Sequence, residues 1–170
     1  LPNLLELLDE ISINFKFNAI TKKSETILNG ENVEDFIRGI EVSNNVSIIS
    51  EIKEVRDKLI ALQQKIGKSM NVVMDGRDIG TKVFCNAKLK LFITASADIR
   101  ARRRYDELLE KGDNVTFSEI LKNINSRDEH DINRKINPLL QAKDAILIDN
   151  SDLSIEEQYI LIKTIINSKK

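Results

Sequence analysis

Three apolar residues run into an acid, a glycine, a base and a second acid in the stretch Asn71-Val72-Val73-Met74-Asp75-Gly76-Arg77-Asp78-Ile79-Gly80-Thr81. Phosphoryl-transfer sites need these types: a carboxylate to hold Mg²⁺, as Asp75 would, and a guanidinium to offset phosphate charge. A short apolar run bounded by a turn signal predicts a strand at 72–74, buried on both faces of a parallel sheet. Ligands of such sheets bind beyond the carboxyl ends of the strands, which sets Asp75, Arg77 and Asp78 at a crevice. Gly76 lets the backbone turn sharply between them. A strand-to-loop turn with a surface ion pair explains Asp-Gly-x-Asp alone equally well.

A second set is Arg127, Asp131 and Arg134. On a helix they stand at i, i+4 and i+7, within one narrow sector. Two guanidiniums flanking a carboxylate can grip a nucleotide, the arginines on phosphate or base and the acid on ribose hydroxyls. With Asp128, Glu129 and Lys135 nearby, the same spacing also fits an exposed helix laced with ion pairs. A third set is Arg100, Arg103 and Arg104, on one face at i, i+3 and i+4, with Arg102 between. Like charges on one face repel, so a polyanion is a fitting partner; a solvated basic face is the competing account. His130 reads as a surface residue among acids, neither metal ligand nor base. Cys85 reads as semi-buried and inert, and Ser47 is unremarkable by itself. No Gly-x-x-x-x-Gly-Lys-[Ser/Thr] occurs in these 170 residues. Gly67-Lys68-Ser69 has only the tail of that motif and follows a helix rather than a strand.

The elements that must position these groups alternate. Residues 3–10 read as a short helix. Ile11, Ile13, Phe15 and Phe17 alternate with polar residues, a half-buried strand. Glu25 to Leu28 is a second strand, and Asn29-Gly30 turns toward Asn32-Val33 in a small antiparallel sheet. Helices follow at 41–50 and 52–67, the latter with Val55, Leu59, Leu62 and Ile66 as its stripe and Gly67 as its stop. After 72–74, a strand spans Lys88 to Thr94. A helix opens at Ser96 or Ala97 and stops at Gly112. Thr116 with Glu119 forms a capping box for a helix to about Arg134, and Asn137-Pro138 ends that segment. Ala145 to Ile148 is a last strand. Ser154 with Glu157 caps a final helix, with Ile155, Tyr159, Ile162 and Ile166 as its apolar stripe. Short buried strands alternating with helices predict an α/β fold with a largely parallel sheet.

The bulk properties narrow the class. A chain of 170 residues suits one domain with a small appendage. With 26 basic against 27 acidic residues, bulk charge gives no reason to bind nucleic acid. Cys85 is the only cysteine, which excludes a disulfide framework and suits a reducing cytosol. No apolar run approaches a membrane span, and no signal-peptide pattern opens the chain.

Taken together, Asp75 to Thr81, Lys90-Leu91-Phe92-Ile93, Arg100-Ala101-Arg102-Arg103-Arg104 and Ser126-Arg127-Asp128-Glu129-His130-Asp131-Ile132-Asn133-Arg134 resemble the bacterial cytidylate kinases. The resemblance runs from about Leu4 to the last helix. It implies a P-loop kinase fold: a core at 1–10, 38–103 and 128–170, a small antiparallel insertion of the monophosphate-binding region at 11–37, and a helical lid at 104–127. It implies transfer of the ATP γ-phosphoryl group to CMP or dCMP, with Mg²⁺ carried by ATP near Asp75 and no metal site of the protein's own. Ser47, Arg56 and Asp78 would face the cytosine and monophosphate end. Arg127 and Asp131 would hold the ribose, and Arg134 would reach base or phosphate. Arg77, Arg100 and Arg103 would bind and neutralise phosphate. A monomer in the cytoplasm, without nucleic-acid or membrane partners, completes the expectation.

This sequence departs from the family at the glycine-rich phosphate loop, its lysine and the strand before it, which are expected to lie outside these residues. The 170-residue chain alone is accordingly expected to have no useful kinase activity. A related kinase acting on another acceptor such as UMP, and an inactive nucleotide-binding fragment, are the alternatives.

Overall fold

The computed structural model describes residues 6–169. The chain divides into two compact units, Leu1–Lys65 and Ile66–Lys170.

In the first unit, Leu8–Glu10 forms one 3₁₀ turn, preceded by helical Glu6 and Leu7. The rest of the helix expected at 3–10 lies outside the described residues. Strands β1 (Ile13–Asn18), β2 (Lys23–Leu28) and β3 (Glu31–Asn32) form the antiparallel sheet, with Ile13 opposite Leu28 and Leu28 opposite Glu31. Two turns set this register. Asn18 Oδ1 accepts from the backbone N–H groups of Ile20 and Thr21 at 3.0 and 3.2 Å, an Asx turn between β1 and β2. Asn29 and Gly30 take φ of 50° and 90°, the left-handed pair of a type I′ turn. Phe15 and Phe17, expected half-buried, are exposed. Period two fixes which side chains share a face, but not that another layer covers it.

Helix α1 (Glu34–Ile37) follows the sheet, and the Glu34 carboxylate ties the two together. Its Oε2 accepts from Thr26 N and Oγ1, and its Oε1 accepts from Arg38 Nε and Nη2, all within 3.0 Å. Helices α2 (Ile40–Ile49) and α3 (Lys53–Ser69) come next. Helix α3 runs through Gly67 to Ser69, so Gly67 is not its stop. A Cβ on Gly67 would stand 2.5 Å from the Phe84 ring. The glycine answers a close approach rather than a helix end.

The second unit is built on β4 (Leu91–Thr94) and β5 (Ile146–Asp149), paired in parallel with Leu91 opposite Ile146. Residues 72–74 are not a strand: they join no sheet among the described residues, and Val73 is fully exposed. Apolar sequence alone does not make a parallel strand, which needs neighbours for its ladder. Helix α4 (Ala97–Glu110) opens on Ser96, whose Oγ accepts from Ile99 N at 3.3 Å. It closes on Gly112, φ 84°, with Gly112 N donating to Leu109 O and Asp113 N to Leu108 O, a Schellman stop. Helix α5 (Phe117–Asn133) starts at the expected capping box of Thr116 and Glu119, and α6 (Ile155–Ser168) at that of Ser154 and Glu157.

Ala101, Leu108 and Ile120 form the buried core of α4 against α5, with Tyr105, Val115, Phe117, Leu121 and Ile124 around them. Burying each large aliphatic side chain there contributes about 1.5–3 kcal/mol. Arg102 lies over Phe117, 4.7 Å from guanidinium carbon to ring centre, and covers the edge of this cluster. Of the expected stripe of α6, only Ile162 turns inward. Ile155, Tyr159 and Ile166 are exposed, and Gln158, Ile162 and Ile165 are the half-buried sector. Among the described residues no helix is long and apolar enough to cross a membrane.

Candidate functional site

The segment after Asp75 is wound tightly. Residues Ile79–Val83 form a π turn, in which Val83 N donates to Asp78 O and Phe84 N to Ile79 O at 3.3 and 2.7 Å. Asp78 is buried, while Asp75 and Arg77 are exposed. Gly76 does not adopt the left-handed backbone; a Cβ there would meet Ile79 Cγ1 at 2.8 Å, so the requirement is space.

The π turn delivers Arg77 to the end of α5. Arg77 Nε donates to Asp131 Oδ2 at 2.9 Å. The other carboxylate oxygen, Oδ1, accepts from Arg134 Nη1 at 3.3 Å. Arg134 is the residue at which α5 ends; its backbone is already extended, with φ −61° and ψ 142°. Its side chain reaches back to Asp131 on the last turn and also ties the chain beyond the helix, where Nε donates to Asn137 O at 2.7 Å. Asn137 takes φ 48°, and Leu139 N donates to Asp131 O at 2.7 Å, so the chain after the helix wraps around Asp131. Asp131 is 5% exposed and Arg134 7%, a buried ion pair, whereas the Arg77 side chain is 47% exposed.

Arg127 stands one turn earlier on α5. Burial, and then the neighbouring Arg77 guanidinium, hold its pKa below the usual arginine value; Asp131 and Asp128 oppose the shift. Arg77 and Arg127 therefore converge as like charges beside one buried carboxylate, an arrangement that an anion would relieve.

Arg100 and Arg103 project from α4. Arg100 donates from Nη1 and Nη2 to Asp128 Oδ1 and Oδ2 at 3.1 and 2.7 Å, and from Nε to Ala95 O at 2.9 Å. Arg103 donates to Asn150 Oδ1 and O at 3.0 and 2.7 Å. Ala95 and Asn150 are the residues immediately beyond β4 and β5, the carboxyl ends of the parallel pair. Arg104 pairs with Glu107 on its own helix at 2.7 Å.

Ser47 and Arg56 belong to the first unit. Ser47 lies in α2, and Arg56 in α3 donates from Nη1 to Ser50 O at 3.0 Å. His130 is half-buried in the last turn of α5 rather than a surface residue. Cys85 is exposed rather than semi-buried, and its Sγ donates to Thr81 O at 3.1 Å.

Residue spacing gave no role to Asp128 or Asn150. Asp128 read as one more acid crowding Arg127. Its signal was its position on α5 facing an arginine of a neighbouring helix. Asn150 carried only the signal of following a strand's carboxyl end. Among the described residues no group of three histidine, cysteine or carboxylate side chains gathers as a metal site.

Comparison with known proteins fits this arrangement. The family model described as cytidylate kinase matches residues 1–169. A cytidylate kinase of Flavobacterium johnsoniae is 54% identical over 164 residues, covering 96% of this chain and 71% of that protein. One from Flavobacterium psychrophilum is 49% identical over 165 residues, 97% of this chain and 73% of that protein. One from Clostridium botulinum is 50% identical over 166 residues, 98% and 74%. With the family model spanning nearly every residue and identities of this size, the chain belongs to the cytidylate kinase family.

Proposed function

We propose that the protein transfers the γ-phosphoryl group of ATP to CMP or dCMP, giving CDP or dCDP. Membership of the cytidylate kinase family supports this, and the observation that carries it onto this chain's residues is the buried Asp131 carboxylate between Arg77 and Arg134, with Arg127 beside it.

In this reading Asp131 accepts from the ribose hydroxyls, and Arg127 holds the ribose on the other side. Arg134 reaches base or phosphate, and Asp78, Ser47 and Arg56 serve the cytosine and monophosphate end. A phosphate oxygen of CMP bonds to the γ-phosphorus as the bond from that phosphorus to the β–γ bridging oxygen breaks, and ADP leaves with the electron pair. The acceptor oxygen is already nucleophilic, so no protein base is needed, and catalysis is positioning plus charge stabilisation. Arg77, Arg100 and Arg103 supply positive charge, and 104–127 closes over the reactants as a lid to exclude water. Mg²⁺ travels with ATP. The donors on hand are oxygen atoms, with Asp75 a single exposed carboxylate, which suits an ion bound chiefly through phosphate oxygens and water.

We place the core at 1–10, 38–103 and 128–170 and the insertion at 11–37, in a cytosolic monomer. These residues contain no glycine-rich phosphate loop with its lysine, and on their own they bind nucleotide without useful turnover. A coupled assay tests both statements, with CMP, dCMP, UMP and AMP as acceptors, on the 170-residue chain and on the full-length gene product. Turnover of CMP and dCMP by the gene product is expected, with little by the chain alone. Preference for UMP would move the acceptor, and no turnover by the gene product would leave a nucleotide-binding protein.

A further inference from the structure

We propose that Asn150 is a positioning residue for Arg103, which it holds by neutral oxygens so that the guanidinium charge stays available to the phosphates of a nucleoside triphosphate. The inference rests on the phosphoryl-transfer reading above.

Four arginines of this unit, Arg77, Arg100, Arg104 and Arg134, each form an ion pair with a carboxylate. Arg103 makes no ion pair among the described residues. Its Nη1 donates to Asn150 Oδ1, and its Nη2 to Asn150 O and, at 3.4 Å, to Leu153 O. A guanidinium has five N–H donors, so these bonds leave Nε–H and one Nη1–H for a ligand. A carbonyl oxygen orients a guanidinium without neutralising it, whereas a carboxylate does both.

Asn150 is itself fixed at every polar group. Its N–H donates to Thr94 O at 2.8 Å, and its Nδ2 donates to Gln158 Oε1 on α6. The next residue is braced as well. Ser151 Oγ accepts from Ser96 N at 3.0 Å and donates to Asp149 Oδ1 at 2.7 Å. One asparagine thus joins the carboxyl ends of both parallel strands to α4 and α6, where open sheets of this kind bind ligands. A ligand arriving there meets a cation already ordered, which is what preorganisation requires.

The test exploits a near-isosteric change. Asn150→Asp keeps the acceptor for Arg103 but supplies it with a counter-ion, and the Nδ2 donation to Gln158 that it removes is replaced when the Gln158 amide turns over and donates to the new carboxylate, so a merely structural bond would be preserved or strengthened. Binding of inorganic tripolyphosphate by calorimetry, thermal unfolding, and kcat and KM for CMP are compared in the full-length gene product. The expected result is an unfolding temperature equal to or above the parent's, tripolyphosphate affinity about tenfold lower, and a lower kcat with KM for CMP unchanged. Equal tripolyphosphate affinity in the two proteins, or no binding by either, overturns the proposal. If Asn150→Asp fails to fold, Gln158→Leu decides: it frees Asn150 Nδ2 and should lower tripolyphosphate affinity severalfold, and unchanged affinity overturns the proposal. CMP turnover by the unsubstituted protein reports separately on the kinase reading, because the tripolyphosphate comparison needs no acceptor.

Discussion

Arg77 reaches across 54 positions of sequence to place Nε 2.9 Å from Asp131 Oδ2, on a carboxylate whose other oxygen holds Arg134. The two arginines make unequal bonds. Arg134 is buried with Asp131, and removing one partner of such a pair strands a charge at a cost of about 3–5 kcal/mol. Arg77 is half exposed, and pairs of that kind contribute about 0–1 kcal/mol.

Two substitutions separate these roles. Asp131→Asn should lower the unfolding free energy by about 3–5 kcal/mol in urea titrations and abolish measurable CMP binding. Arg77→Ala should cost under about 1 kcal/mol yet weaken CMP binding by at least about tenfold, the size of one lost charge-assisted bond. A large stability loss in Arg77→Ala with CMP affinity intact would show that Arg77 is a structural tie only.

Glu34 makes stability of the first unit depend on pH. Bonds from Arg38 first, and then from Thr26, hold its carboxyl below the ordinary value of 4.5. A carboxyl that is more acidic when folded stabilises the folded state at pH above its unfolded value. That contribution is lost as pH falls from about 4.5 through the depressed folded value. Glu34→Gln should therefore destabilise the protein by about 1 kcal/mol at pH 7, with the gap between variant and parent closing below pH 4.5. Unfolding curves at neutral and acid pH measure it; a gap that stays constant across the range would place the effect in packing instead.

Much of the second unit was legible because its signals are local. A capping box needs only residues three apart, so Thr116–Glu119 and Ser154–Glu157 placed the starts of α5 and α6 correctly. Gly112 marked the end of α4 for the same reason. What failed depended on neighbours distant in sequence. The apolar run at 72–74 carries the composition of a buried strand, but pairing is a property of two segments. The stripe of α6 has helical period, but period does not choose which sector meets the protein. In the candidate site, spacing on α5 identified Arg127 and Asp131 as one face. It could not show that Arg134 leaves the helix and folds back, since that follows from the left-handed Asn137 and the wrap of Leu139 onto Asp131.

The α4–α5 core offers a test of what holds the segment between the arginine sets. Leu108 is fully buried among Ala101 and Ile120. Leu108→Ala should lower stability by about 2–5 kcal/mol, the transfer loss plus the cavity left behind. Differential scanning calorimetry should show this as a lowered unfolding temperature. A loss under 1 kcal/mol would mean that Tyr105 and Phe117 collapse into the space.

Gly67 gives a prediction whose sign opposes helix propensity. In an exposed helix, glycine to alanine stabilises by about 0.5–1 kcal/mol. Here the added methyl would stand 2.5 Å from the Cε1 and Cζ atoms of Phe84. The ring follows directly on the π turn that presents Arg77 and Asp78, so the collision must move either the last turn of α3 or that ring. Overpacking of this kind costs about 1–3 kcal/mol, and Gly67→Ala should be destabilising on balance. Phe84→Ala removes the obstructing ring at a cost of its own. The double variant should then be more stable than the sum of the two single losses predicts, because the methyl no longer meets the ring. Urea titrations of the four proteins close this cycle. Additive losses would mean that Phe84 already turns aside freely, and that Gly67 is not held glycine by this contact.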